Sequence, residues 1–281
     1  MESIVRYPMV AALAAAMALS LLCGIPALGQ DEGGTPSARA GETPATPFIK
    51  DGKVDVNAVV DHFENLYRAD SSISTAQLTV TKPNRTKTMT LKSWTHGEEK
   101  ALIVIQSPPR EEGIATLMVE DNLWNYFPRI DRTIRIPPSM MQSSWMGTDF
   151  TNDDLVRETS FKEDYTYELV ERTADPNGWL VRFIAKPATV GVWERFDLIV
   201  TPDARLPIEA KYFDRRDRHA RTLYWDQVKV FDGRRIPSHM TLIPQDEDKE
   251  GHKTEMDYLD IDFNADVPER MFSLSELEQK H

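Results

Sequence analysis

Cysteine is nearly absent from this sequence, since Cys23 is the single cysteine among 281 residues. The chain therefore has no intramolecular disulfide framework and no cysteine cluster that could bind a metal. Stability must come from an apolar core. Hydrophobic residues make up 41% of the chain and charged residues 28%, which excludes a wholly disordered protein.

Basic residues are also in deficit, with 33 Lys and Arg against 45 Asp and Glu and a net charge of -12. Proteins that bind nucleic acid do so by neutralising phosphates with Lys and Arg, so the composition argues against such a partner. The densest basic stretch, residues 215–218, reads Arg-Arg-Asp-Arg. We interpret it as a solvated turn, with docking of an acidic partner or a lipid headgroup as the alternative.

One long apolar run is present, at residues 9–22. It follows Arg6 and suits the hydrophobic region of a signal peptide, but it is short for a membrane span. The small residues Ala27 and Gly29 occupy the two positions that a signal peptidase reads, so cleavage is predicted after Gly29. Residues 1–29 are therefore predicted to be a signal peptide. The alternative is lipidation of Cys23, but the large residue before it, Leu22, disfavours this modification.

Residues 30–53 are rich in Gly, Pro, Thr, Ala and acidic residues. Such a stretch buries too little apolar surface to offset the entropy of ordering it, so we predict a disordered linker. No comparable stretch follows, and residues 54–281 are predicted to form one domain.

The domain is predicted to begin with a helix that Asp55 caps. A single helical stripe contains Val56, Val59, Val60, Phe63 and Leu66.

About a dozen β-rich runs separated by turn signals follow this helix. The predicted strands are 76–81, 86–95, 101–106, 116–119, 123–127, 165–172, 179–185, 195–201, 208–213, 222–230, 235–243 and 255–263. A sheet of this width usually curls or splits, so we expect a curled antiparallel sheet. Residues 101–105 are apolar on both strand faces, so both sides of the sheet are predicted to be covered there. One side would meet the helix, and the other would face an internal cavity.

Residues 136–160 interrupt the strand pattern. Ser139 is predicted to cap a short helix that contains Met and Trp. Thr151 is predicted to cap another, with Asp154 at the acidic position of a capping box.

Two motifs carry a resemblance to a known family. Residues 123–128 read Leu-Trp-x-Tyr-x-Pro, and residues 146–155 read Met-Gly-Thr-Asp-Phe-Thr-x-Asp-Asp-Leu, with Arg132 between them. This pattern resembles the periplasmic outer-membrane lipoprotein-sorting (LolA-like) family, which more often has Ser where Thr148 stands. The similarity in organisation covers roughly residues 56–263.

The resemblance implies a mainly β fold with α-helices: a curled antiparallel sheet that forms an incomplete β-barrel around short helices, with an apolar cavity for lipid or lipoprotein acyl chains. The best-known carriers of the family hold their lid with an arginine, and the resemblance aligns neither Arg132 nor Arg135 with it. Trp124 and Tyr126 share one strand face and are candidate cavity wall, and methionines are suited to a deformable lid. Ordinary core packing is the alternative role. The candidate ligand-binding residues are Trp124, Tyr126, Met140, Met141, Trp145, Met146 and Phe150.

No enzyme motif is found in the sequence. The six His residues are scattered, and neither a HExxH motif nor a Gly-x-Ser-x-Gly elbow occurs. Asp149, Asp153 and Asp154 lack the spacing of a calcium loop, and helix capping explains them better than a carboxylate dyad does. We expect no catalysis, no metal and no cofactor.

The leading functional hypothesis is a periplasmic carrier of lipid or lipoprotein acyl chains. Its partners would be an inner-membrane exporter and an outer-membrane acceptor, with peripheral membrane contact at most. The alternative is a periplasmic sensor or adaptor of an inner-membrane regulator or exporter that uses the same scaffold.

Overall fold

The computed structural model describes residues 48–156, 161–189 and 193–279. The predicted signal peptide, Cys23 and residues 30–47 of the predicted linker lie outside these ranges. Residues 48–53 of that linker differ from the prediction, because they belong to a hairpin of β1 (Ile49–Lys50) and β2 (Lys53–Val54). Ile49 is buried in the main core, which offsets the cost of ordering this short hairpin.

Helix α1 (Val56–Asn65) follows at once and confirms the predicted helix. The carboxylate of Asp55 accepts a hydrogen bond of 3.1 Å from the backbone N–H of Ala58, as expected of an N-cap. Val59 and Val60 are buried on the predicted stripe.

Thirteen of the described strands form one antiparallel sheet. They are β3 (Ser71–Lys82), β4 (Arg85–His96), β5 (Lys100–Ser107), β6 (Ala115–Val119), β7 (Asn122–Phe127), β8 (Arg132–Arg135), β9 (Tyr165–Ala174), β10 (Asn177–Ala185), β11 (Trp193–Val200), β12 (Pro207–Asp214), β13 (His219–Phe231), β14 (Arg234–Pro244) and β15 (Lys253–Asp262).

The sheet is two meanders joined in the middle. Strands β3 to β8 run outward in order on one side, β15 to β9 run outward on the other, and β3 pairs with β15 at the centre. Strands β8 and β9 are the two edges and do not pair with each other, so the sheet is not closed into a barrel. This confirms the predicted incomplete barrel.

Both faces of the sheet are covered, as the strand at residues 101–105 predicted, but the side opposite α1 packs against the C-terminal part of the chain rather than facing a cavity. Ala101, Ile103 and Ile105 pack in the core that includes α1, on what we call the α1 face. Leu102 and Val104 point to the opposite side, which we call the C-terminal face. Its cover is the last part of the chain, which forms a 3-10 turn (Glu269–Phe272) and the short helix α4 (Leu274–Leu277).

Two further short helices are α2 (Asp153–Val156) and α3 (Phe161–Asp164). Within the described ranges, none of the helices has both the length and the apolar character needed to span a bilayer.

Candidate functional site

The chain must pass from one edge of the sheet, at β8, to the other edge, at β9. The first part of this passage is residues 136–156, which we call the crossover segment. It lies against the α1 face, where its large apolar side chains join the same core as α1. The segment therefore covers the interior of the incomplete barrel.

The crossover segment begins with a 3-10 turn (Pro138–Met140) rather than a capped helix. Pro137 holds the N-cap position and no side chain caps the turn, so the predicted capping role of Ser139 is wrong. The reason is that two consecutive prolines fix the extended backbone that leads into the turn, and Ser139 falls inside it.

The capping box at the other end of the segment is confirmed. The backbone N–H of Asp154 donates to the hydroxyl of Thr151 at 3.2 Å, and the N–H of Thr151 donates to the carboxylate of Asp154 at 2.9 Å. These reciprocal bonds start α2, which contains only four residues.

Trp145 anchors the middle of the segment in the α1 face, with 1% of its surface exposed. Its indole N–H donates to the hydroxyl of Thr116 on β6 at 3.1 Å. The hydroxyl of Thr148 donates to the carbonyl of Trp145 at 2.7 Å, which closes the turn at Met146 and Gly147. This bond explains why a hydroxyl residue suits position 148.

A second attachment joins the segment to β15 at the centre of the sheet. The hydroxyl of Thr254 is fully buried, accepts from the backbone N–H of Asp149 at 2.9 Å and donates to its carboxylate at 2.7 Å. Asp149 is thus a hydrogen-bonded anchor.

The third attachment is a buried ion pair between Arg221 of β13 and Asp154. Two guanidinium nitrogens of Arg221 donate to the two carboxylate oxygens at 2.8 and 2.9 Å, and the side chains are only 5% and 8% exposed. The guanidinium also lies over the rings of Trp193, at 4.4 Å, and Tyr212, at 4.8 Å.

The electrostatics of this pair favour the ionised state. Burial alone would raise the pKa of Asp154, but the charge of Arg221 and the hydrogen bonds from Arg221 and Thr151 outweigh it and hold the pKa below the ordinary carboxyl value. The pair is therefore a charged tie between the crossover segment and the sheet.

Arg221 is the arginine that holds the segment, and Arg132 and Arg135 do not. Both of the latter are exposed, and Arg135 lies 6.0 Å from the ring of Trp124. No sequence pattern indicates Arg221, because it lies 67 residues from Asp154 and meets it only through the order of the strands.

The seven predicted ligand-binding residues do not come together. Trp145 and Phe150 are buried in the core of the α1 face, and Met141 and Met146 pack against that core while partly exposed. Met140 is 47% exposed. Trp124 and Tyr126 lie on the C-terminal face.

The alternation of β7 explains this division. Leu123 belongs to the core of the α1 face, so Trp124 and Tyr126 point the other way. The prediction that these two aromatic residues share a face is confirmed, but they are on the opposite side of the sheet from Trp145. The structure therefore does not place the predicted lid residues over the predicted wall residues, and ligand binding by these side chains stays a prediction.

The interior beyond the segment is filled by aromatic rings. Phe183 stacks on Phe196 with centroids 4.2 Å apart, and Phe196 lies 5.3 Å from Tyr212 and 5.4 Å from Phe161.

The structure also brings together a histidine and a carboxylate that the sequence spacing did not indicate. His239 Nδ1 lies 2.7 Å from the carboxylate of Asp257, and its Nε2 lies 3.1 Å from the hydroxyl of Thr241. Register on β14 and β15 places His239 opposite Asp257. We interpret the three as a cross-strand polar ladder. Within the described ranges no group of three metal-ligating side chains is found.

A family model described as "Uncharacterized protein" matches residues 97–279, more than half of the chain. No curated protein matches the sequence.

Three solved structures share the fold. A DUF1329 family protein from Desulfovibrio piger aligns with a TM-score of 0.69 and 22% identity, covering 79% of this chain and 98% of its own. A LolA superfamily protein from Nitrosomonas europaea has a TM-score of 0.65 and 18% identity, with 80% and 100% covered. A putative outer membrane lipoprotein-sorting protein domain from Vibrio parahaemolyticus has a TM-score of 0.63 and 19% identity, with 74% and 92% covered.

Proposed function

The chain belongs to the family of uncharacterized proteins matched over residues 97–279 and has the LolA-like fold, and from that premise we propose that it carries lipid or lipoprotein acyl chains between membranes. The carrier would act in the periplasm, receive its cargo at an inner-membrane exporter and pass it to an outer-membrane acceptor. Transfer of this kind needs no catalysis, and we propose none.

One observation carries the proposal: a crossover segment covers the apolar face of an incomplete barrel and is tied down by the buried pair of Asp154 and Arg221. Its largest apolar side chain, Trp145, is packed where an acyl chain would lie. Displacing the segment would replace protein contacts by ligand contacts on the same surface.

The energies of opening and binding are compatible. Separating a buried ion pair costs about 3–5 kcal/mol when one partner is left uncompensated. Each buried methylene contributes about 0.8 kcal/mol, so about six methylenes offset that cost. A long acyl chain has more methylenes than this, and the surplus would act against the loss of the core contacts that Trp145 and its neighbours make.

Mass spectrometry of organic extracts tests the proposal. The full chain would be exported, purified from the periplasm without detergent, extracted with organic solvent and compared with an unrelated exported protein purified in parallel. We expect acyl species at about one per protein molecule.

A direct binding measurement complements the extraction. Purified, delipidated protein would be titrated with a fluorescent fatty acid, and the Trp145→Ala and Trp124→Ala variants compared as a matched pair. Binding should change in Trp145→Ala, which alters the α1 face, and stay unchanged in Trp124→Ala, which alters the C-terminal face. Absence of acyl species in the extract, together with no fatty-acid binding, would favour the sensor or adaptor alternative.

A further inference from the structure

A cleft of about 420 Å³ opens where the end of α1 meets two turns of the sheet. One wall is the turn before β12 and another is the turn between β13 and β14. Its arginines are Arg205, Arg234 and Arg235, and its apolar lining includes Leu66, Leu206 and Ile236. None of the lining residues belongs to the crossover segment, so this is a different place in the molecule from the site above.

The three arginines are weakly paired. Arg234 donates to the backbone carbonyl of Arg68 at 2.7 Å and lies 4.6 Å from the ring of Phe263, contacts that fix the guanidinium without neutralising it. Arg205 makes one long ion pair, 3.8 Å from Asp203. Arg235 is exposed and forms no ion pair with any described residue.

The acidic groups near the cleft do not balance these charges. Asp203 faces Arg205, and Asp232 acts on Arg234 while its carboxylate accepts from the backbone N–H of Phe263 at 2.7 Å. Three guanidinium groups thus meet two carboxylates, and both carboxylates also accept other hydrogen bonds, Asp203 from Thr201 and Asp232 from Phe263.

Two arginines outside the cleft show the stronger pairing that a bidentate carboxylate gives: Arg182 pairs with Asp197, and Arg218, in the basic stretch at 215–218, pairs with Asp214.

We propose that this cleft binds an organic phosphate, either a soluble phosphate ester or the phosphate of a lipid headgroup. Guanidinium groups bind phosphate through paired N–H donors. The volume is within the range of small-molecule sites and larger than one inorganic phosphate requires. Leu66, Leu206 and Ile236 offer apolar surface to the organic part of the ligand.

His62 completes the cleft without adding charge. Burial and the nearby charge of Arg205 lower its pKa, even though its hydrogen bond to the Arg205 backbone acts in the opposite direction.

Calorimetric titration of the full chain with sn-glycerol 3-phosphate tests the proposal. The test variant is Arg205→Gln with Arg235→Gln, which removes the two exposed charges and leaves Arg234 in its structural contacts. The matched control is Arg85→Gln with Arg110→Gln, which removes the same charge from exposed positions outside the cleft. Circular dichroism would verify that all three proteins are folded.

We expect saturable binding that is weakened about tenfold or more in the test variant and unchanged in the control, since the test variant removes two charged hydrogen-bond donors to the phosphate. Flotation with phosphatidylglycerol vesicles, against phosphatidylcholine vesicles, separates the two sources. Arginine-dependent vesicle binding assigns the lipid headgroup, and glycerol 3-phosphate binding without vesicle binding assigns the soluble ester.

The proposal is overturned if the wild-type chain binds neither glycerol 3-phosphate up to about 10 mM nor phosphatidylglycerol vesicles, or if the control variant weakens binding as much as the test variant does. These outcomes are independent of acyl-chain binding, so the cleft and the carrier function fail or hold separately.

Discussion

At the scale of single residues, Asp154 and Arg221 form the buried ion pair that ties the crossover segment to the sheet. A buried ion pair gains little over an apolar pair, but removing one partner strands a charge in the interior. We therefore expect Asp154→Asn to lower the free energy of unfolding by about 3–5 kcal/mol at pH 7. Urea denaturation measures this value.

Asp217→Asn is the matched control for that measurement. Asp217 pairs with Arg195 at 2.8 Å, but its side chain is 77% exposed. Removing an exposed partner should cost less than about 1 kcal/mol. Equal losses in the two variants would contradict the assignment of the Asp154 pair as the main tie.

The pH dependence of the pair follows from the direction of the pKa shift. The folded-state pKa of Asp154 is below its ordinary value of 3.8. Its stabilising contribution is therefore fully present above the ordinary value and is lost as pH falls through the folded value. We expect the stability difference between wild type and Asp154→Asn to be constant from about pH 5 to pH 7.5 and to shrink in stronger acid. If the stability difference between wild type and Asp154→Asn changed near pH 6.5, the titrating group would not be Asp154.

Trp145 and Trp124 differ in what they contact. Trp145→Ala should cost about 3–5 kcal/mol of unfolding free energy, because it empties a buried site. Trp124 is partly exposed on the C-terminal face, so its replacement should cost clearly less. Chemical denaturation of both variants measures the difference, and a larger loss for Trp124→Ala would contradict the assigned burial.

These residues also show what could be predicted from the sequence. The spacing of Trp124 and Tyr126 correctly placed them on one strand face, but alternation alone does not say which face looks toward α1. The Thr151 and Asp154 box was predictable because its bonds are local. The pairing of Arg221 with Asp154 was not, because it depends on the position of β13 in the sheet.

At the scale of elements, the crossover segment turns at Met146 and Gly147, which both have positive φ, of 50° and 79°. A Cβ at Gly147 would meet no atom within 4 Å, so Gly147→Ala strains only the backbone. We expect a loss of about 1–2 kcal/mol in unfolding free energy, with slower transfer of a fluorescent fatty acid to acceptor vesicles.

Gly97→Ala provides the control, because Gly97 has φ 59° and equally open surroundings but lies outside the segment. It should show a similar stability loss and an unchanged transfer rate. Equal transfer rates in both variants would mean that the turn at Gly147 has no part in opening.

The strands also differ in how well the sequence predicts them. Twelve of the thirteen sheet strands follow the predicted runs, usually extended by a few residues. The missed one, β8 (Arg132–Arg135), is four residues long and has arginine at both ends, so it lacks an apolar alternation. Short, charged strands of this kind are typical of sheet edges.

At the scale of the whole molecule, an open sheet carries two covers. The C-terminal cover packs on the C-terminal face through Ala265, Val267, Phe272 and Leu277. The crossover segment lies on the α1 face and contributes no strand to the sheet, and its ties to β6, β13 and β15 run through side chains, so displacing it breaks no strand pairing. We therefore propose that the crossover segment moves and that the C-terminal cover stays in place.

Hydrogen exchange with and without palmitate is the most direct measurement of that claim. In the free protein, backbone amides of residues 139–155 should exchange faster than those of residues 101–106 in β5. Palmitate should change the exchange of residues 139–155 and leave residues 265–277 as they are. If residues 139–155 are already as protected as β5 and palmitate leaves them unchanged, the segment is a static part of the core and the carrier account is contradicted.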